Sequence, residues 1–110
     1  MKARTFVKAD EKVISVFTRG DDFLINSDNS GSTGKWKINP NHVVDRVIIY
    51  HRNSKNNTNS VYIATHDGVE RTDLKDRYKI RFKHIQFIGT TTESWKTFAE
   101  CDANPVRYFI

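Results

Sequence analysis

The sequence has one cysteine, one methionine, two prolines and five glycines in 110 residues. A single thiol, Cys101, cannot close an internal disulfide, and no CxxC or Cys/His grouping surrounds it. A disulfide scaffold is therefore excluded, and a reducing cytoplasm is the expected location. No stretch approaches the roughly 20 apolar residues of a membrane-spanning helix. Lys2, Arg4, Lys8, Asp10, Glu11 and Lys12 interrupt the opening segment where a signal peptide would need an apolar run. There is no internal repeat, coiled coil, Gly-rich phosphate loop or nucleophile elbow. The four histidines, His42, His51, His66 and His84, form no HxH or HxxxH pair of the kind that builds a metal site. The expectation is a chain without a metal, a cofactor or catalytic activity of its own.

What is present is positive charge and strand-forming residues. Eighteen Lys and Arg against 13 Asp and Glu give a net charge of +5, an excess that favours anionic partners. The length suits a single domain over residues 1–110, too short for two cores. Five apolar runs rich in β-branched and aromatic residues suit pleated surfaces: Lys12 to Thr18, Asp22 to Ser27, Val43 to His51, Val61 to Thr65, and Tyr78 to Gly89. Val47-Ile48-Ile49-Tyr50 is unbroken, which predicts a central strand covered on both faces. The polar stretch Asn53 to Ser60 reads as a long hairpin loop that makes its flanking strands antiparallel partners. In the last long run Tyr78, Ile80 and Phe82 alternate with Lys79, Arg81 and Lys83, then the apolar phase slips to Ile85 and Phe87, so a bulge is expected near His84.

One helix is signalled over Thr91 to Glu100, with Thr90 and Glu93 at capping-box spacing and Trp95, Phe98 and Ala99 on one face. Asn39-Pro40 could open a further helical turn toward Val44. The C-terminal Asn104 to Ile110 ends on apolar residues that suit an edge strand. The fold class is α+β and strand-rich: a curved sheet or partly open barrel with one or two short helices.

The residues that could carry function begin with Trp36. It sits between Lys35 and Lys37 and follows a Ser/Gly-rich segment, Asp28 to Gly34, that reads as a mobile loop able to order around a ligand. An indole between two cations suits stacking of a base beside its phosphate. Trp95 reads first as core and second as a pocket wall, and Tyr50 and Tyr62 lie on neighbouring strands where rings or hydroxyls could meet a ligand. Lys79, Arg81 and Lys83, with Arg46, Arg52 and Lys55 near adjacent strands, could form a stripe that tracks phosphates. A solvated outer sheet face would carry the same pattern. For an enzyme the material is sparse: His66-Asp67 falls before Gly68 as a turn would, and Asp45 with Asp73-Leu74-Lys75 resembles a metal-dependent nuclease pattern, but in a polar segment instead of an apolar strand.

Phe23-Leu24-Ile25-Asn26-Ser27, then Trp36, then Asp45 to His51, a hairpin, and Val61-Tyr62-Ile63-Ala64 resembles the opening half of the PUA-like superfamily, especially EVE and YTH-type domains, over roughly residues 22–100. Ile38 to His42 stands where many EVE domains carry an Arg-Asn-rich segment. The resemblance implies a pseudo-barrel that takes an extruded, often modified base into an aromatic pocket, in a setting of restriction or phage defence, with a nuclease domain or subunit as a further partner. Carried over, Trp36 would be an aromatic wall, Asn26 or Ser27 a contact to the base edge, and Trp95 a second wall. The expected function is a non-catalytic DNA or RNA reader, with Lys35 and Lys37 joining the other cations as phosphate contacts. The alternative is a protein-interaction module, an inhibitor or accessory subunit, using the same aromatics as an interface hot spot.

Overall fold

Val47, Ile48, Ile49 and Tyr50 are each no more than 3% exposed, and they lie in β4 (Arg46–Arg52) with neighbours on both edges and cover on both faces. The computed structural model describes residues 1–53 and 58–109 of the chain. Around β4 are β1 (Val13–Arg19), β2 (Phe23–Ile25), β3 (Gly31–Trp36), β5 (Asn59–Arg71), β6 (Tyr78–Thr91) and β7 (Val106–Phe109), with one short helix, α1 (Trp95–Ala99). They make one mixed seven-stranded sheet in the order β2-β3-β6-β5-β4-β1-β7. β1 runs parallel to β4 and every other pairing is antiparallel. The architecture is strand-rich α+β, as expected, and the antiparallel pairing of β4 with β5 and the edge-strand reading of the C-terminal segment both hold.

The sheet curls. β2 lies four places from β4 in sheet order, about 19 Å away if the strands lay flat. Yet the Phe23 ring of β2 is 5.2 Å from the His51 ring of β4 and 5.1 Å from Tyr62 of β5. Inside the curl, Ile14, Val16, Trp36, Val47, Ile49, Ala64, Ile80 and Phe82 form one core. On the outside, Val13, Ile48, Tyr50, Val61 and Phe109 are covered by Trp95, Phe98 and Ala99 of α1 and by Ala3 of a 3₁₀ turn, Ala3–Phe6. The period of two along β4 sends Val47 and Ile49 to the inner core and Ile48 and Tyr50 to the outer one.

The expected bulge is present. Ile63 pairs with Gln86 and Thr65 with Lys83, so β6 carries an extra residue at this point, and His84 has a φ of 54°. A second bulge, on β5 between His66 and Val69, contains Asp67 and Gly68. This long β5–β6 ribbon extends the strand expected at Val61 to Thr65 as far as Arg71.

Three expectations need correction. The segment Asp28 to Gly34 is not a mobile loop: Asn26 to Ser30 form a tight turn and Gly31 onward is β3, between β2 and β6. Its residues have poor strand propensity, but pairing on both edges overrides propensity, and Gly31 is required because a Cβ there would lie 2.0 Å from the Leu24 carbonyl oxygen and 2.6 Å from Phe82 Cζ. The helix is capped by Ser94, whose Oγ accepts from the Thr97 amide at 3.3 Å, while Thr90 belongs to β6. Its inward face, Trp95, Phe98 and Ala99, is buried as expected. Pro40 lies in a simple turn in which Asn39 Oδ1 accepts from the Asn41 amide, and no helix follows. The centre of the expected Asn53–Ser60 loop lies outside the described residues. Among those residues no helix is long and apolar enough to cross a membrane.

Replacing Gly31 by Ala is expected to cost about 3 kcal/mol or more, because the added methyl meets backbone on one side and a buried ring on the other. Urea unfolding measures it, and a variant within about 0.5 kcal/mol of wild type would show that the β2–β3 pair relaxes around the methyl.

Candidate functional site

The polar turn between β2 and β3 is built by its own side chains. Asp28 Oδ1 accepts from both the amide and the hydroxyl of Ser30, Asn26 Nδ2 donates to Ser30 Oγ at 3.1 Å, and Asn29 takes a φ of 64°. The Ser30 hydroxyl, and then its amide, hold the exposed Asp28 carboxyl below the usual carboxylate range. The Asn26 amide donates to the Ser30 carbonyl at 2.7 Å, and the turn is pinned to the β6 bulge by the Ile85 amide, which donates to the Asn29 carbonyl at 3.0 Å. The extra residue in β6 thus has a structural use: it frees an amide that holds the hairpin down.

Between this hairpin and the β5–β6 ribbon lies a cleft of about 270 Å³ lined by Leu24, Asn26, Ser30, Gly31, Ser32, Asp67, Glu70, Arg81 and Phe82. Ser32 faces Arg81 across the β3–β6 ladder, and the β5 bulge places Asp67 along the same wall. The lining mixes a cation, two carboxylates, an amide and two hydroxyls with the exposed Leu24, and the buried Phe82 lies behind them. Such a set offers donors and acceptors together, which suits the edge of a planar polar ring better than a bare phosphate.

The expected pocket residues are distributed differently from what the sequence suggests. Trp36 is 6% exposed in the inner core, and its Nε1 donates to Thr33 Oγ1 at 2.8 Å. Tyr62 lies against the same core, between Phe23 and Phe87. Tyr50 and Trp95 belong to the outer core, where Tyr50 OH donates to the Glu93 carbonyl at 2.6 Å and Trp95 Nε1 donates to the Asn104 carbonyl at 2.8 Å. The four aromatics therefore sit on opposite faces of the sheet and enclose no common pocket. Asn26 lines the cleft, and Ser27 is exposed on the turn beside it. Among the described residues Arg81 is the one predicted phosphate contact that shares the cleft with Asn26.

The other cations divide into two groups. Lys35 is bound to Asp73, whose exposed carboxyl is held low by the Lys35 hydrogen bond; Arg46 lies 3.4 Å from Glu11, and Lys83 lies 3.9 Å from Asp67. Lys37, Arg52, Lys79 and Arg81 make no ion pair among the described residues. Lys55 lies outside them. On β6 the side chains of Lys79, Arg81 and Lys83 alternate with buried Ile80 and Phe82, so they share one face of the strand, Lys79 half-buried and Arg81 and Lys83 exposed.

Two features were not visible in the sequence. Phe87, expected to turn inward with Ile85, is 56% exposed and packs on Tyr62 at 5.4 Å between ring centroids. Thr18 and His51 are partners in the parallel β1–β4 ladder, and Thr18 Oγ1 lies 2.7 Å from His51 Nδ1 beneath the Phe23 ring. A Thr hydroxyl on a His resembles a nucleophile with its base, but Thr18 is 0% exposed, so no substrate reaches it and the pair ties two strand ends together. His66 is likewise bound locally, its Nδ1 accepting from the Gly68 amide at 3.3 Å. Asp45 Oδ2 accepts from the Lys12 amide at 2.9 Å, so the carboxylates of the nuclease-like pattern have structural partners. Among the described residues no three of His, Cys, Asp and Glu converge on a metal-sized site.

Comparison with known protein families, curated proteins and solved structures finds no match to the chain.

Two predictions follow from the buried rings. Trp36→Ala is expected to lower stability by about 3–5 kcal/mol, as truncation of a core aromatic does, and a stability loss under about 1 kcal/mol in urea unfolding would place the indole outside the core. Burial lowers the pKa of both His51 and His66 below the usual histidine value, more than nearby carboxylates raise it. The unfolded chain then binds more protons, so their contribution is present above the ordinary value and is lost as pH falls below about 6.5. The melting temperature is expected to drop between pH 7 and pH 5, with a smaller drop in His51→Gln, and an unchanged drop in that variant would assign the effect elsewhere.

Proposed function

We propose that the chain is a nucleic-acid-binding module with a PUA-like curled sheet, which takes the edge of an unpaired or extruded base in the Leu24–Arg81 cleft and phosphates along β6. The observation that carries this reading is that Asn26 and Arg81, singled out separately as base and phosphate contacts, line one cavity with Ser30, Ser32, Asp67 and Glu70. Arg pairs with acceptors on a base, carboxylates with its amino groups, and an Asn amide with either. At about 270 Å³ the cavity falls just under the roughly 300 Å³ at which small-molecule sites begin, a size for one ring and not for an extended ligand.

The phosphate contacts come from Lys79 and Lys83 on either side of Arg81. The Lys83–Asp67 pair is exposed and long, so it contributes about 0–1 kcal/mol and a phosphate displaces it readily. Extrusion costs a few kcal/mol, of the order that hydrogen bonds to the base edge and contact with the exposed Leu24 would offset. The curl of the sheet around an inner core, with α1 on its outside, is what a PUA-like pseudo-barrel requires. The resemblance of the sequence to PUA-like domains brings the expectation of a restriction or phage-defence setting, in which a separate nuclease cleaves. Nothing in the cleft arrangement calls for catalysis by this chain.

A second reading, a protein-interaction module, is favoured by the exposure of Leu24, Ile25 and Phe87 at 58, 46 and 56%. Salt separates the two. Anisotropy with labelled DNA and RNA strands, plain and base-modified, is expected to show binding that weakens about 50- to 150-fold between 50 and 200 mM salt if some four phosphates are contacted. Lys79→Gln is expected to weaken binding and flatten the salt slope by about one unit, and Arg81→Gln to weaken binding and relax the discrimination between bases. If no strand binds at low salt, the nucleic-acid reading is wrong and the interaction module stands.

A further inference from the structure

β2 is an edge of the sheet, with β3 on one side and no strand on the other. Edge strands normally carry a lysine, a proline, an inward charge or a bulge that keeps other chains away. β7, the opposite edge, follows Pro105 and contains Arg107, whereas β2 is Phe23-Leu24-Ile25, with Leu24 58% and Ile25 46% exposed. Its only guard is its length of three residues.

The backbone direction of this edge follows from the hairpin. The Asn26 amide bonds the Ser30 carbonyl, so Asn26 and Ser30 are a hydrogen-bonded pair of the antiparallel ladder. Alternation makes Leu24 and Ser32 the next such pair, and the amides and carbonyls of Phe23 and Ile25 point away from β3. A second strand running antiparallel to β2 would satisfy these groups if Phe23 faced the incoming residue two places beyond the one that faces Ile25.

A second copy of β2 meets this condition. Centred on Leu24, it sets Phe23 opposite the partner's Ile25 and Ile25 opposite the partner's Phe23, so each outward-facing residue meets another. Leu24 then meets the partner's Leu24 in a non-hydrogen-bonded pair, where side chains lie closest. Asp22 before β2 lies in a 3₁₀ turn and Asn26 after it opens the hairpin turn, so the paired residues carry no charge. The edge is thus self-complementary in backbone and apolar contact, as a two-fold contact must be.

We infer that the chain forms a two-fold dimer by antiparallel pairing of β2 with β2 around Leu24. Three residues on each side bury less than the roughly 1,000 Å² of a stable interface, so the association is weak and concentration-dependent. Because Leu24 also walls the cleft, the dimer sets two clefts on either side of one shared leucine contact. This inference does not depend on what the cleft binds.

Cysteine cross-linking tests the register. In a Cys101→Ser background, Leu24→Cys is expected to form a disulfide dimer on mild oxidation, since a non-hydrogen-bonded pair brings its Cα atoms to about 4.5 Å, within disulfide range. Val43→Cys, at a site 69% exposed and away from the edge, is the control and is expected to stay monomeric under the same conditions. Sedimentation of the wild type is expected to show a mass rising toward twice the monomer with concentration, and Leu24→Lys to abolish the rise. Equal cross-linking at both positions, none at Leu24→Cys, or a wild-type mass that stays monomeric at millimolar concentration would each overturn the proposal.

Discussion

Burial of β4 on both faces is the constraint on which the rest of the structure depends. Four consecutive large apolar residues, Val47 to Tyr50, cannot all point the same way in a strand, so the sheet needs a separate cover on each side. A chain of 110 residues has too little material for two layers of helices. It meets one demand by curling the sheet onto itself, with Phe23 of the far edge strand reaching His51, and the other with a five-residue helix and a 3₁₀ turn. The aromatic residues are consumed in this arrangement: Trp36 fills the inner core, and Tyr50 and Trp95 the outer one. Their polar tips bond to Thr33, Glu93 and Asn104, which anchors β3 and the segments flanking α1 to the cores.

Once the large rings are committed to the cores, the cleft at the margin of the sheet is left to polar groups. The hairpin turn supplies one wall of the cleft and the β5 bulge the other, and both are departures from regular pairing. The bulge at His84 links them, since it frees the Ile85 amide that holds the Asn29 carbonyl. Bulges recur where a sheet re-aims side chains for a purpose. Here two of them, on adjacent strands, determine which residues face Arg81.

Much of the architecture was legible because it is dictated by period and phase. The unbroken run of β4 gave the central strand, the phase slip after Lys83 gave the bulge, and the spacing of Trp95, Phe98 and Ala99 gave the buried helix face. β3 was not legible. Gly31-Ser32-Thr33-Gly34 has the composition of a loop and becomes a strand only because β2 and β6 pair with it on both sides, a tertiary effect that no local signal carries. The role of Trp36 was misread for the same reason, since a tryptophan after a supposed mobile loop looks available, and one at the end of a central strand is packed. Of the cleft, Asn26 and Arg81 could be named as polar candidates, but their meeting depends on β3 pairing with both β2 and β6. Asp67 belongs to a bulge that the sequence shows only as a turn-like His66-Asp67-Gly68, and Glu70 to the paired strand beyond it.

The charge of the chain gains meaning only through this geometry. A net +5 spread evenly would confer solubility and little else. Instead Lys35 and Arg46 are held by carboxylates away from the cleft, while Lys79 and Arg81 keep no ion partner among the described residues and Lys83 has only a distant one. Asp67 and Glu70 line the cleft with Arg81 without joining it in an ion pair, so the cleft presents separate donors and acceptors. An all-basic cleft would select for charge and accept any phosphate. A mixed one, flanked by cations on a single strand, would on the reading proposed above select for the hydrogen-bonding pattern of an uncharged ring and leave the charge to the strand beside it.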